Sequence, residues 1–179
     1  PDFIAADLLS QAEHGADSQV IFVTTDEAYL NLVHFAIDQQ LKNLPRKELA
    51  EKALENSKLI LVKDIEEAID LSNFYAPEHL ILQTRNAEEL AERIINAGSV
   101  FIGHYSPESA GDYASGTNHT LPTNGFAKAY SGVSLDSFVK KITFQKITKE
   151  GLQNLGKTIE IMAENEGLFA HKNAVSIRL

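Results

Sequence analysis

No cysteine occurs in the 179 residues. That excludes disulfides, thiolate catalysis and a Cys-based zinc site. A metal ion, if one is held, has to use nitrogen and oxygen ligands. Basic residues are scarce: 16 Lys and Arg against 25 Asp and Glu, for a net charge of −9. Such a balance argues against nucleic acid or an anionic membrane surface as a partner. Long apolar runs are missing too. The longest are strand-sized, such as Leu59-Ile60-Leu61-Val62, so no transmembrane span is expected. No secretory leader is visible, and a soluble, cytoplasmic protein is the default expectation. There is no phosphate-cradling glycine loop of the G-x-G-x-x-G or G-x-x-x-x-G-K-[ST] type and no H-E-x-x-H. Ser115-Gly116-Thr117 lacks the context of a nucleophile elbow. The chain opens at Pro1-Asp2 without an initiator Met. This suggests a processed product or a fragment of a longer chain.

What is present is enough for a core: 44% of residues are hydrophobic. Residues 3–14 read as a helix with Phe3, Ile4, Leu8 and Leu9 on its apolar side. Residues 19–25 (QVIFVTT) read as a strand. Thr24 and Glu27 fit a capping box for a helix to about Leu41. A further helix is expected over 46–56, after Pro45. Strands follow at 58–63 (KLILVK), 79–84 (HLILQT) and 99–103 (SVFIG). Between them, Asp64 with Glu67 and Asn86 with Glu89 cap helices over 65–74 and up to Gly98. Alternating strands and helices with short connections imply βαβ units, hence an α/β fold with a Rossmann-like, mainly parallel sheet and flanking helices. Residues 104–134 read as a long polar loop, of the kind that is usually functional. A strand over 140–148 (KKITFQKIT), a helix over 151–165 and a last strand over 175–179 form a small C-terminal helical and extended tail. The division expected is an α/β domain at 1–133 and a dimerisation tail at 134–179.

The chemistry-bearing residues fall in four places. Gln11 and His14 lie three apart on the first helix, so both side chains share a face. They form either a nitrogen/oxygen pair for a cation such as zinc or an exposed polar helix end. Ala76-Pro77-Glu78-His79-Leu80 sets an acid beside an imidazole, with Pro77 expected to hold Ala76 extended. This is a proton-transfer pair or a solvated strand edge. Asp112, after Gly111, is a metal ligand, a general base or an Asx-turn residue. His119 binds substrate or hydrogen-bonds its own loop. Glu78-His79 and the Asp112 loop both lie at the end of a predicted element, where α/β proteins usually keep their chemistry. Near the C-terminus, His171, Glu164 and Glu166 read equally well as solvated helix-end residues. His34 and His104 have no ligand context.

Together these blocks resemble histidinol dehydrogenases: SQAEH at 10–14, APEHL at 76–80, AGSVFIGHYSPESAGDYASGTNHTLPT at 97–123 and AHKNAV at 170–175. The resemblance covers essentially the whole chain and is densest around GDYASGTNH. It implies NAD-dependent oxidation of L-histidinol to L-histidine in two steps through the aldehyde. It also implies a zinc ion that positions the substrate, and a homodimer with sites shared between subunits. By motif, Gln11, His14, Asp112 and His171 match zinc ligands, with His171 coming from the other subunit. Glu78 and His79 match the catalytic acid–base pair. His119 and Glu166 match substrate-binding residues, beside Gln11, His14, His79, Asp112 and His171. Family members are much longer before the position of Pro1, where most of the NAD-binding residues lie. The resemblance thus implies that a separate N-terminal half would be a partner and that this chain alone is incomplete. Two alternatives follow from the residues: a non-catalytic zinc-binding or dimerisation fragment, and a metal-dependent hydrolase in which Glu78 activates water.

Overall fold

A helix opens the chain, α1 at Asp2–Ala12, buried through Ala5, Leu9 and Ala12. Strand β1 (Ile21–Thr24) leads through α2 (Glu27–Leu41) and α3 (Lys47–Glu55) to β2 (Lys58–Leu61). The two strands pair in parallel, with Ile21 opposite Lys58 and Thr24 opposite Leu61. Helix α4 (Ile65–Tyr75), β3 (His79–Leu82), α5 (Ala87–Ala91) and β4 (Ser99–Ile102) follow. Strands β3 and β4 form a second parallel pair, with His79 opposite Ser99. All 179 residues are described in this computed structural model. The α/β class and the parallel pairing are as the strand–helix alternation predicts. The strands lie in two separate two-stranded sheets.

Each pair carries its own core. Ala5, Leu9, Val33, Ala36, Ile37, Ala50 and Ala53 are buried together around the first pair. Ile69, Leu82, Ala87 and Leu90 are buried around the second. The parallel pairs need crossovers, and helices with an apolar face supply them.

Several boundaries differ from those read in the sequence, each for a visible reason. The true cap of α2 is Asp26, whose carboxylate accepts the Tyr29 N–H at 3.1 Å. Thr24 Oγ1 accepts the Asp26 N–H instead. Asp64 caps as expected, accepting the Glu67 N–H at 2.9 Å, while Glu67 reaches back to the Lys63 N–H. Removing that cap by Asp64→Ala is expected to cost about 1 kcal/mol, read as a lower urea midpoint. The helix expected up to Gly98 stops at Ala91. The side chain of Asn73 takes the N–H groups of Ile95 and Asn96, which draws that segment out of helix.

Ala76 is not extended. It closes α4 in the left-handed region (φ 55, ψ 66), its N–H bonded to Ser72 O. Pro77 disfavours the right-handed helical region for its predecessor, and left-handed closure is the other way out of the helix. A non-glycine residue at positive φ costs about 1–2 kcal/mol and marks a turn held by its surroundings.

The segment 104–134 is not all loop: it contains α6 (Glu108–Tyr113) and a 3-10 turn at Phe126–Lys128. The described chain divides into compact units at 1–138 and 139–179. In the second unit, α7 (Lys149–Asn165) and α8 (Phe169–Ser176) pack on each other. Two expected strands are absent. Residues 140–148 meet no partner strand, and Ile142 and Phe144 stay exposed. The run from Val175 is the end of α8, and Leu179 folds onto Gly156 of α7, where an added Cβ would lie 2.7 Å from its Cδ2. No helix is long and apolar enough to cross a membrane.

Candidate active site

A cavity of about 370 Å³ opens in the first unit. Gln11, His14, Ser18, Gln19, Glu78, His79, Glu108, Asp112 and His119 line it. Six of the eight residues that the resemblance assigns to zinc, catalysis or substrate are therefore brought together. The other two belong to the second unit: Glu166 caps α7 and His171 lies on α8, both exposed. His34 and His104 are exposed and take no part in the cavity.

The position of the cavity departs from the expectation for parallel sheets. Ligands usually gather outside the carboxyl ends of the strands. Here His79 is the first residue of β3, and Ser18 and Gln19 precede β1. Two local features cause this. The left-handed turn at Ala76 delivers Glu78 and His79 to the start of β3. Helix α6 then packs back against β4, with Gly111 so close to Phe101 that a Cβ would lie 2.8 Å from its ring.

Helix α1 ends at Ala12, two residues short of the expected range. The chain continues in a tight turn, with the His14 N–H bonded to Gln11 O at 3.3 Å. This turn keeps the pair on one side although His14 has left the helix.

Glu108 was missed in the sequence because 104–134 read as loop. On α6 it lies four residues before Asp112, so both carboxyls share a face. The available signal was Pro107 followed by an acidic residue, a helix-start pattern. Glu108 is 3% exposed, the only buried charged residue of the chain. Its Oε1 lies 3.6 Å from His79 Nε2, and donor atoms of His79, Glu108 and Asp112 lie within 4.8 Å of one another.

Burial dominates the proton affinities. It pushes the Glu108 carboxyl up to about 7, and the neighbouring Asp112 carboxyl pushes the same way. The Gln11 amide acts in the opposite direction, although no hydrogen bond of regular geometry forms between them. Burial also raises Glu78, offset by His14 and reinforced by Asp112. It lowers His79, with Asp112 opposing and His14 assisting. An acid moved up and an imidazole moved down bring the proton affinities of the pair closer together, which favours proton exchange between them. The His79 ring also lies 6.0 Å from the Phe101 ring, which limits its orientations.

The full chain, residues 1–179, matches the family model for histidinol dehydrogenase. The chain belongs to the histidinol dehydrogenase family. Its relatives in that family include the histidinol dehydrogenase of Bacteroides thetaiotaomicron, 66% identical over all of this chain and 42% of the relative. That of Haemophilus influenzae is 56% identical over the same shares. The crystal structure of histidinol dehydrogenase from Elizabethkingia anophelis matches with a TM-score of 0.93 and 64% identity, covering 99% of this chain and 41% of that one. The chain thus spans about two fifths of the length of the histidinol dehydrogenases it matches.

Proposed function

We propose that this chain carries the acid–base and metal-holding part of a histidinol dehydrogenase acting in histidine biosynthesis. The reaction removes two hydrides from L-histidinol to two NAD and takes up one water, giving L-histidine through the aldehyde. The observation that carries this reading is the meeting of Glu78 and His79 with Gln11, His14 and Asp112 in one cavity.

The donor set fits zinc: an amide oxygen, an imidazole and a carboxylate, with no thiolate required. Donor atoms of His79 and Asp112 in the same cavity lie within 4.8 Å of one another, so nitrogen and oxygen donors already converge there. Gln11, His14 and Asp112 would hold the ion. By the family resemblance, His171 of a second copy in a homodimer completes the set, and Glu166 of that copy contacts substrate. When bound, zinc supplies a Lewis-acidic anchor for the nitrogen and oxygen donors of the substrate.

The chain's own residues divide the proton work. Burial lowers the pKa of His79, which favours the neutral imidazole that accepts the hydroxyl proton as the first hydride leaves. Glu78, made more basic by burial, takes a proton from the water that adds to the aldehyde carbon. The second hydride then leaves from the hydrated carbon, and the product is the carboxylate. His119 lies on the exposed side of the cavity, where it can contact bound substrate.

The test uses the protein that carries this chain. Two NADH per L-histidinol are expected, with near-stoichiometric zinc by elemental analysis. His14→Ala and Asp112→Ala are expected to lose the zinc while remaining folded. Turnover that needs no NAD would instead point to the hydrolase reading. Zinc without turnover would point to a metal-binding module.

A further inference from the structure

A glutamine side chain is nearly symmetric in shape but not in chemistry. Its carbonyl oxygen can ligate a cation and its NH₂ cannot. A site that uses Gln11 must therefore fix which end faces the ion. Three buried side-chain polar atoms in the chain lack a hydrogen-bond partner: Gln11 Nε2, Glu108 Oε1 and Thr84 Oγ1. The first is a donor and the second an acceptor, and both residues line the same cavity. His79 does not satisfy Glu108, since 3.6 Å exceeds hydrogen-bond length. Asp112 is a carboxylate and offers Glu108 no donor when ionised.

We propose that Glu108 is a positioning residue: it accepts from the Gln11 NH₂ and so turns the Gln11 carbonyl oxygen towards the cation. The pairing needs only an acceptor oxygen, which Glu108 has whether or not it carries a proton. The proposal rests on the zinc reading above. Partners that orient a metal ligand in this way typically contribute 10–100-fold in metal affinity.

The test is a zinc titration against a chromophoric chelator in the protein that carries this chain. Four forms are compared: unsubstituted, Glu108→Met, Gln11→Ala and the double variant. Met keeps the side-chain length and removes the acceptor. Glu108→Met is expected to weaken zinc about 10–100-fold where Gln11 is present. In the Gln11→Ala background it is expected to change affinity by no more than about twofold. Glu108→Gln, which keeps an acceptor oxygen, is expected to restore most of the loss. An equal loss in both backgrounds means Glu108 acts on the ion itself and overturns the proposal, as does no loss at all. If Glu108→Met does not fold, hydrogen exchange in the unsubstituted protein serves. The Gln11 side-chain amide protons, identified by their absence in Gln11→Ala, are expected to be protected in the zinc form. Free exchange overturns the proposal. An unsubstituted protein that binds no zinc overturns the functional reading itself, and that result is distinct from tight zinc binding insensitive to Glu108.

Discussion

Glu78→Gln is expected to stop the second oxidation while leaving much of the first. The amide matches the carboxylate in size, so the turn from Ala76 to His79 keeps its shape. On the proposed division of labour, what disappears is the base that takes a proton from the water adding to the aldehyde. His79 still accepts the hydroxyl proton in the first step, because its burial, Asp112 and His14, which set its proton affinity, are unchanged. General base catalysis typically contributes 10²–10⁴-fold, so oxidation of the aldehyde is expected to fall by about that factor. Oxidation of the alcohol is expected to fall much less. The two are separated by supplying L-histidinol and L-histidinal in turn and following NADH. Equal losses on both substrates would sink the division of labour between Glu78 and His79.

Gly98→Ala is expected to harm the same site without touching a reacting group. A Cβ at Gly98 would lie 2.5 Å from the Glu78 carbonyl oxygen and 3.3 Å from its carbonyl carbon. Those atoms are backbone and cannot swing away. They are also held: Gly98 N–H donates to Pro77 O and Ser99 N–H to Glu78 O, both at 2.9 Å. An added methyl must push the start of β3 away from β4, at the residues that carry the acid and the imidazole. Overpacking of this kind costs about 1–3 kcal/mol of stability. A misplacement near 1 Å costs on the order of 10²-fold in rate. The expected result is a lowered urea midpoint with a larger drop in kcat. An unchanged kcat in folded Gly98→Ala would show that the β3–β4 start does not set the position of Glu78.

The strand–helix rhythm of 19–103 was legible because each strand is a short apolar run between capped helices. Asp64 with Glu67 shows this at the level of single hydrogen bonds. Failures came where tertiary partners overrule local pattern. Residues 140–148 alternate like a strand but find no neighbour to bond. Val175 and Ile177 favour strand by propensity, yet α8 packs on α7 and Leu179 covers Gly156. Pro77 limits Ala76 to non-helical backbone, but the sequence does not show which of the remaining regions the turn uses. At the site, Gln11, His14, Glu78, His79, Asp112 and His119 were legible as residue types. Glu108 was not, because a six-residue helix inside a glycine-rich segment leaves little periodic signal. The offset of the cavity to the start of β3 also follows from packing, through Gly111 against Phe101, and not from any local motif.

The first unit has two small cores, each built around its own pair of strands. Gln11 belongs to the helix that helps form the first core. His79 begins a strand that contributes to the second. An occupant that engages both is bound only while the two halves are folded and apposed. By mass action such an occupant stabilises the assembled state by about 2.7 kcal/mol at a hundred times its dissociation constant. On the proposed reading the cavity would work as a thermodynamic clasp: an occupant would tighten the coupling between the two cores, and the integrity of each core would in turn be written into the affinity of the site.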